Sequence, residues 1–371
     1  KKGGTKIRPS YIRMRIWIYV KALIENPEFS SQIKEELTTP VKDFGSTATI
    51  PDKFMDKFAK KTGIINVISK FAEQQASLSL SKTSDGKKTK KLKGIPKLED
   101  ANKAGTKESL ECTLILVEGD SAKTLAVSGL GVIGRDLYGI FPLKGKLLNT
   151  REASISQLSK NAEITNLKKI LGLKDKVKYD NDKDIGELRY GKILIMTDQD
   201  VDGSHIKGLL LSMFHHGWPE LLNIPGFIDY MKTPLVRAIK GTGSNLKEEL
   251  FYTQSSYEKW YKQLNGKKAW KIRYVKGLGG HSASDAKKLF KNIDQLRIHF
   301  DASNKKNTND SMLLGFSKAC IEDRKKWLKN YSPDKIKEQS GSSVTVDNFI
   351  NNELIIYSND SVKRAIGSSI D

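Results

Sequence analysis

The stretch Lys192-Ile193-Leu194-Ile195-Met196-Thr197-Asp198-Gln199-Asp200-Val201-Asp202-Gly203-Ser204-His205-Ile206 decides the fold class. A short run rich in Ile and Leu, closed by acidic residues and glycine, fits a strand at the centre of an α/β sheet, where helices cover both faces. The acids then stand at the carboxyl end of that strand, the end at which open α/β sheets bind their ligands. Carboxylates at alternate positions are hard oxygen donors suited to Mg²⁺. An EF-hand calcium loop begins with the same Asp-x-Asp-x-Asp-Gly spacing but needs a bidentate glutamate at its twelfth position and a helix leading in. Here Leu209 holds that position and a strand leads in, so the EF-hand reading fails.

Working outward, apolar segments alternate between strand-like and helix-like patterns. Residues 112–117 and 137–141 read as strands, and 120–128, 155–171 and 204–222 as helices. Alternation of this kind implies a largely parallel sheet. The first of these strands closes in Leu116-Val117-Glu118-Gly119-Asp120-Ser121-Ala122, which puts a second acid at a strand end. A parallel sheet brings Glu118 beside Asp198, Asp200 and Asp202. Carboxylates so crowded cannot all stay ionised without a counter-charge, which one or two Mg²⁺ ions would supply.

Past residue 230 the pieces shorten: 233–240, 250–253 and 270–276, with helices at 255–264 and 282–292. The sheet signal ends after Asp301, 301–310 and 332–346 read as polar connections, and 346–357 is the last periodic segment. Upstream, residues 11–25 are rich in β-branched and aromatic types and read as a strand first and a helix second. Residues 52–77 carry apolar positions at helical spacing, interrupted by Gly63, and read as two helices. Residues 81–107 hold nine Lys against three acids and read as a solvated linker, with a nucleic-acid-facing arm as the sharper alternative.

The 371 residues are enough for two or three domains, and their net charge of +21 suits a polyanionic partner, nucleic acid first among them. No run of ~18 apolar residues is present, which excludes a helical membrane span. Two cysteines, Cys112 and Cys320, cannot build a disulfide framework, and their isolation from other Cys and His argues against zinc; a reducing compartment follows. The chain lacks both a signal peptide and an initial Met, so it reads as a fragment or a processed chain.

Several motifs carry less weight. Gly129-Leu130-Gly131-Val132-Ile133-Gly134 has dinucleotide-turn spacing but does not connect a strand directly to a helix, so it reads as a glycine-rich turn after one. Phe141-Pro142-Leu143-Lys144-Gly145-Lys146-Leu147-Leu148-Asn149 and Lys276-Gly277-Leu278-Gly279-Gly280 place glycine beside lysine, where backbone can approach a phosphate, though the second reads equally as a turn. His215 and His216 suit capping or core roles, whereas His205, three residues after Asp202, is placed to reach a phosphate near the metal.

Glu118-Gly119-Asp120-Ser121-Ala122 together with Asp198-x-Asp200-x-Asp202-Gly203-Ser204-His205-Ile206 resembles the TOPRIM domain of type IIA DNA topoisomerases. Pro142-Leu143-Lys144-Gly145-Lys146, Lys276-Gly277-Leu278-Gly279 and Asp347-Asn348-Phe349-Ile350-Asn351-Asn352-Glu353-Leu354 look like family segments in family order, in the eukaryotic rather than the gyrase form. The resemblance covers nearly the whole chain. It implies an α/β fold with a TOPRIM core, a Rossmann-like parallel sheet. Residues 1–80 would be the end of an α+β transducer module, 81–110 a Lys-rich linker, 111–300 TOPRIM with an insert, and 301–371 a linker and the start of a winged-helix DNA-binding domain.

The same resemblance implies the chemistry: an ATP-dependent enzyme that makes a transient double-strand break and passes a second duplex through it. Glu118, Asp198, Asp200 and Asp202 would be its metal ligands and catalytic acids. Two Mg²⁺ ions are implied, Glu118, Asp198 and Asp200 holding one and Asp200 with Asp202 the other; Mn²⁺ or Ca²⁺ can substitute. Lys144, Lys146, Asn149, His205 and Lys276 would contact double-stranded DNA. Gln32 and Lys34, near the transducer-like Ile24-Glu25-Asn26-Pro27-x-Phe29, would contact ATP bound in a preceding domain. The parent enzyme would be a nuclear homodimer with no membrane association. Its nucleophilic tyrosine lies beyond this chain, so the fragment alone would not cleave. Departures from the family are Ile33 for Thr, Lys144 for Arg, and Gly280-His281 for Thr-Ser. The alternatives are a TOPRIM nuclease or primase, and a non-catalytic basic chromosomal scaffold.

Overall fold

The computed structural model describes residues 7–30, 34–241, 247–264, 270–275, 277–278, 282–333, 336 and 341–367. Gln32 and Lys276 lie outside the described residues. The chain divides into two compact units, residues 1–79 and 80–371.

In the first unit, the two helices expected at 52–77 are present as Asp52–Lys61 and Ile64–Ser84, separated at Gly63. The strand expected at 11–25 is not. A short helix, Pro9–Arg13, is followed by chain without a sheet partner among the described residues. Trp17, Ile18, Tyr19, Val20 and Leu23 are each 80% or more exposed. Strand propensity is a preference for a pleated, half-buried surface, and it has no expression where no neighbouring strand supplies one.

The second unit is built on a six-stranded sheet of order β2-β1-β3-β4-β8-β9. Its strands are β1 (Thr113–Glu118), β2 (Tyr138–Leu143), β3 (Lys192–Met196), β4 (Ile228–Met231), β8 (Arg297–Asp301) and β9 (Ser343–Thr345). The strands β2, β1, β3 and β4 run parallel, β8 is antiparallel to β4, and β9 is parallel to β8. A second sheet of three antiparallel strands, β5 (Val236–Lys240), β6 (Lys247–Phe251) and β7 (Lys271–Tyr274), has its own small core around Val236, Ala238, Phe251 and Tyr257.

The central strands are buried on both faces, and successive residues feed two cores. Leu114, Leu116, Ile193 and Ile195 pack with the helices Ala162–Leu171 and Val201–Gly217. Ile115, Val117, Leu194 and Met196 pack with the helices Gly119–Ile133 and Ala283–Lys291. Each of the four side chains Leu114 to Val117 is fully buried, worth about 1.5–3 kcal/mol apiece against exposure. This covering on both sides is why β1 and β3 read as continuous apolar runs.

Several local expectations are corrected. Gly129 and Gly131 lie inside the helix Gly119–Ile133 rather than in a turn, and only Gly134 caps it; Gly129 lets the Phe290 ring press against the helix backbone. The helix expected at 155–171 is two, Ile155–Lys160 and Ala162–Leu171, because the Asn161 side chain caps the second by accepting from the Ile164 N–H at 2.9 Å. The sheet does not end at Asp301: β9 arises within the polar stretch 332–346, its buried Val344 paired with Phe300.

The stretch 81–107 is not a free linker where it is described. The Gly86 N–H donates to Leu173 O at 2.7 Å, and Asp85 accepts from the buried Lys168 at 3.1 Å and from the Asp175 N–H at 2.9 Å. Glu99 pairs with Ile140 through the backbone, and Ala101 and Ala104 are buried. Arg189, with no exposed surface, donates to Thr89 O at 2.7 Å, Ile170 O at 2.8 Å and the Asp100 carboxylate at 2.5 Å. The polar composition is spent on these long-range bonds.

Residues 346–367 form Val346–Phe349, a π turn at Ile350–Leu354 and the helix Ile355–Gly367. Their anchor is Glu353, which accepts from buried Lys207 at 2.6 Å, Tyr230 at 3.3 Å and Ser204 at 3.4 Å. Replacing Lys207 with Met strips the carboxylate of its cation, so a loss of about 2 kcal/mol is expected. Faster amide exchange across 346–367 would register it; unchanged protection would show that Glu353 is held without Lys207.

Candidate metal centre

Parallel pairing sets β2, β1 and β3 side by side with their carboxyl ends together, Val117 opposite Pro142 and Met196. The chain leaves β1 for one neighbour, β2, and later returns on its other side as β3, so the ends of β1 and β3 flank a topological switch point. Glu118 closes β1, Asp198, Asp200 and Asp202 follow β3, and Lys144-Gly145-Lys146 follows β2. The expected gathering of two acidic strand ends is therefore present.

Each acid is held differently. Glu118 is half-buried, and its Oε2 is a buried atom without a hydrogen-bond donor. Burial first, then the charges of Asp198 and Asp200, push its carboxyl up to about 7, against the opposing pull of the Asp198 backbone N–H. Asp198 Oδ1 accepts the Leu278 N–H at 2.6 Å. Asp200 is the N-cap of the helix Val201–Gly217, which begins three residues earlier than expected, and its Oδ1 accepts the Gly203 N–H at 2.7 Å. Asp202 Oδ1 holds Lys146 Nζ at 2.8 Å and an Arg364 Nη at 3.3 Å, and the hydrogen bond from Lys146 leads the causes that keep its carboxyl below the usual range.

Among the described residues no three His, Cys, Asp or Glu side chains converge closely enough to hold an ion together. Asp198 and Asp200 each accept from a backbone N–H, and Asp202 from two cations. The donor set still fits a divalent metal: four hard oxygen donors on two adjacent strand ends, one with an orphaned buried oxygen and a carboxyl that burial, then its acidic neighbours, push up.

Gly277 and Leu278, ahead of the helix Ala283–Lys291, belong to this centre. Gly277 has φ +72, and a Cβ there would stand 2.3 Å from Asp198 Oδ2. Gly277→Ala is expected to displace the Asp198 carboxylate and weaken Mn²⁺ binding roughly tenfold, as outer contacts of metal ligands do. An unchanged dissociation constant in a metal titration would count against this placement.

The other sequence candidates are spread out. Lys144 is exposed, while its backbone N–H donates to Glu163 at 2.6 Å. Lys146 stands at Asp202 and over the Tyr357 ring, 5.0 Å from its centroid. Asn149 uses its amide inside the fold, donating to Phe316 O at 2.8 Å. The His205 ring stacks on Tyr357 at 4.0 Å, with Phe316 parallel at 6.4 Å; burial, then Lys146, push its imidazole down to about 4, so it is neutral near pH 7 and Nδ1 is a buried atom without a partner. Lys34, in the other unit, has φ +60 and lies over the Phe29 ring at 5.7 Å. Sequence reading missed Arg364 and Tyr357. Their only signal was position, shortly after the Glu353 motif.

Comparison with known proteins gives the family. The family model described as Toprim domain matches residues 113–230, that of the C-terminal associated domain of TOPRIM matches 231–362, and that of DNA gyrase B matches 1–87. Human DNA topoisomerase 2-beta is 47% identical over 382 aligned residues, covering all of this chain and 23% of that protein. The chain belongs to the type IIA DNA topoisomerases.

Among topoisomerase relatives, DNA topoisomerase 2 of Drosophila melanogaster is 48% identical over 383 residues, covering the whole chain and 26% of its own length. The chain thus spans about a quarter of these curated relatives. A crystal structure of the Plasmodium falciparum topoisomerase II DNA-binding, cleavage and re-ligation domain superposes with a TM-score of 0.69 at 47% identity, covering 74% of this chain and 37% of that one. A Toprim domain in a type II topoisomerase implies a divalent-metal site. Neither the nuclease or primase alternative nor the scaffold alternative finds support in these topoisomerase matches. No described helix is long and apolar enough to cross a membrane.

Proposed function

We propose that this chain supplies the metal-binding part of an ATP-dependent type II DNA topoisomerase that opens and reseals both strands of one duplex while passing another through. The observation that carries the reading is the adjacency, at the carboxyl ends of the paired strands β1 and β3, of Glu118, with its orphaned buried oxygen, and the Asp198, Asp200, Asp202 series. In this reading the ions are Mg²⁺, the polyanion is double-stranded DNA, and the parent enzyme is a nuclear homodimer in which Gln32 and Lys34 face ATP. Residues 1–80 act as the transducer end, 81–110 as its connection, 111–300 as TOPRIM with its insert, and 301–371 as the approach to the winged-helix domain.

A bound divalent ion would polarise a phosphodiester oxygen and stabilise the departing 3′ oxygen. Glu118, Asp198 and Asp200 would hold it. Lys144 and Lys146, at the end of β2, provide exposed cations for the DNA backbone, which fix position without reading sequence. His205, neutral and stacked, serves as a hydrogen-bonding wall rather than as a charge. Tyr357 packs flat on His205 and is not assigned as nucleophile; the reading places that tyrosine in a domain beyond this chain. The test is Mn²⁺ titration of the chain: saturable binding, displaced by Mg²⁺, is expected, and its absence would refute the metal centre.

A further inference from the structure

The four acids are not compensated alike. Among the described residues, Glu118, Asp198 and Asp200 make no ion pair; Asp198 and Asp200 accept from backbone N–H groups at 2.6 and 2.7 Å. Asp202 alone carries cations, and both sit on the same oxygen: Lys146 Nζ at 2.8 Å and the Arg364 guanidinium at 3.3 Å. These two come from different parts of the fold, the loop after β2 and the helix Ile355–Gly367. Each also has a resting place beside Asp202. Lys146 lies over the Tyr357 ring, and Arg364 is steadied by Asp360 at 2.9 Å, one helical turn earlier.

We infer that Lys146 and Arg364 are resident counter-cations that keep a second divalent ion off Asp202 until a phosphodiester backbone draws them away, so that the free chain binds one ion and the DNA-bound chain two. The inference rests on the metal reading above. A dication approaching Asp202 meets two full positive charges already at contact distance. At the effective dielectric of a partly exposed site, each weakens its binding roughly tenfold or more. Removal of the two is easy, because their side chains are 42% and 51% exposed. Phosphate oxygens are better partners than one shared carboxylate oxygen, since a phosphate accepts a guanidinium in bidentate fashion and the lysine as a point charge. DNA binding and the second ion thereby become mutually reinforcing, and by linkage each must strengthen the other equally.

The sign of the effect separates this role from plain DNA contact. If Lys146 and Arg364 only held DNA, removing them would leave ion binding to the free chain unchanged. If they stand in for an ion, removing them admits one. The experiment counts bound Mn²⁺ by electron paramagnetic resonance of the free ion, with the 371-residue chain, and subtracts the ions held by a short linear duplex alone. Wild type should bind one Mn²⁺ without duplex and two with it. The double variant Lys146→Met, Arg364→Met should bind the second without duplex, at least about tenfold more tightly than wild type, while Lys146→Arg keeps the wild-type count. Both positions are exposed, and thermal melting of each variant verifies folding. One ion in the folded double variant, or two in duplex-free wild type, overturns the inference while leaving the metal centre standing. No ion in any sample overturns both.

Discussion

Arg189→Ala should cost the second unit about 3–5 kcal/mol, the usual penalty for removing one partner of a buried ion pair. Its melting temperature should fall by on the order of 10 °C. The guanidinium has no exposed surface and closes three contacts at once, to Thr89 O, Ile170 O and Asp100. Alanine leaves two carbonyls and a carboxylate without their donor and opens a cavity the size of the lost side chain. Asp100 also accepts from the Tyr190 hydroxyl, at 2.5 Å, and burial holds that phenol well above its ordinary range, so the tyrosine stays a donor. One hydroxyl cannot replace a guanidinium fork. Arg189→Lys should recover only part of the loss, because a point charge cannot reach all three acceptors. Thermal or urea unfolding decides it: a change below about 1 kcal/mol would mean that the strap 85–104 is not held through this residue.

Asp200→Asn should abolish measurable ion binding, a loss of at least about a hundredfold, while leaving the fold nearly as stable as before. The two effects come apart because Asp200 has two jobs. Its Oδ1 caps the helix Val201–Gly217 through the Gly203 N–H, and asparagine caps a helix about as well as aspartate. Its charge belongs to the proposed centre, and asparagine does not carry it. Asp200→Ala removes both, adding about 1 kcal/mol of lost capping to the lost ion binding. A calorimetric Mn²⁺ titration beside a melting curve for each variant separates the jobs. Wild-type affinity in Asp200→Asn would remove Asp200 from the ligand set.

How much of this was legible in the sequence depended on where the partner of each residue lay. The strands β1 and β3 were readable because burial on both faces leaves an unbroken apolar run. Their parallel pairing followed from the alternation of strands and helices, and with it the approach of Glu118 to the aspartates. The strap at 85–104 was not readable, because polar residues that bond to a folded core have the same composition as residues that bond to water. Its partners Lys168, Asp175 and Arg189 lie 83 to 100 residues further along the chain. The segment 11–25 failed in the opposite sense: its β-branched and aromatic side chains promised a strand, but pairing is a property of two segments and only one is present among the described residues. β9 escaped notice because three residues carry too little periodicity to register.

By itself the sequence determined the parallel α/β core, the four acids at two strand ends and the basic character of the surface, since each is written in residue type and local spacing. Only the tertiary structure decided which of the acids is already compensated. Lys146 reaches Asp202 from the end of β2, across β1, and Arg364 from a helix 162 residues further along the chain. Electrostatic compensation acts through space at a few ångströms, and nothing in the spacing of Asp198, Asp200 and Asp202 records what the rest of the chain brings to that distance.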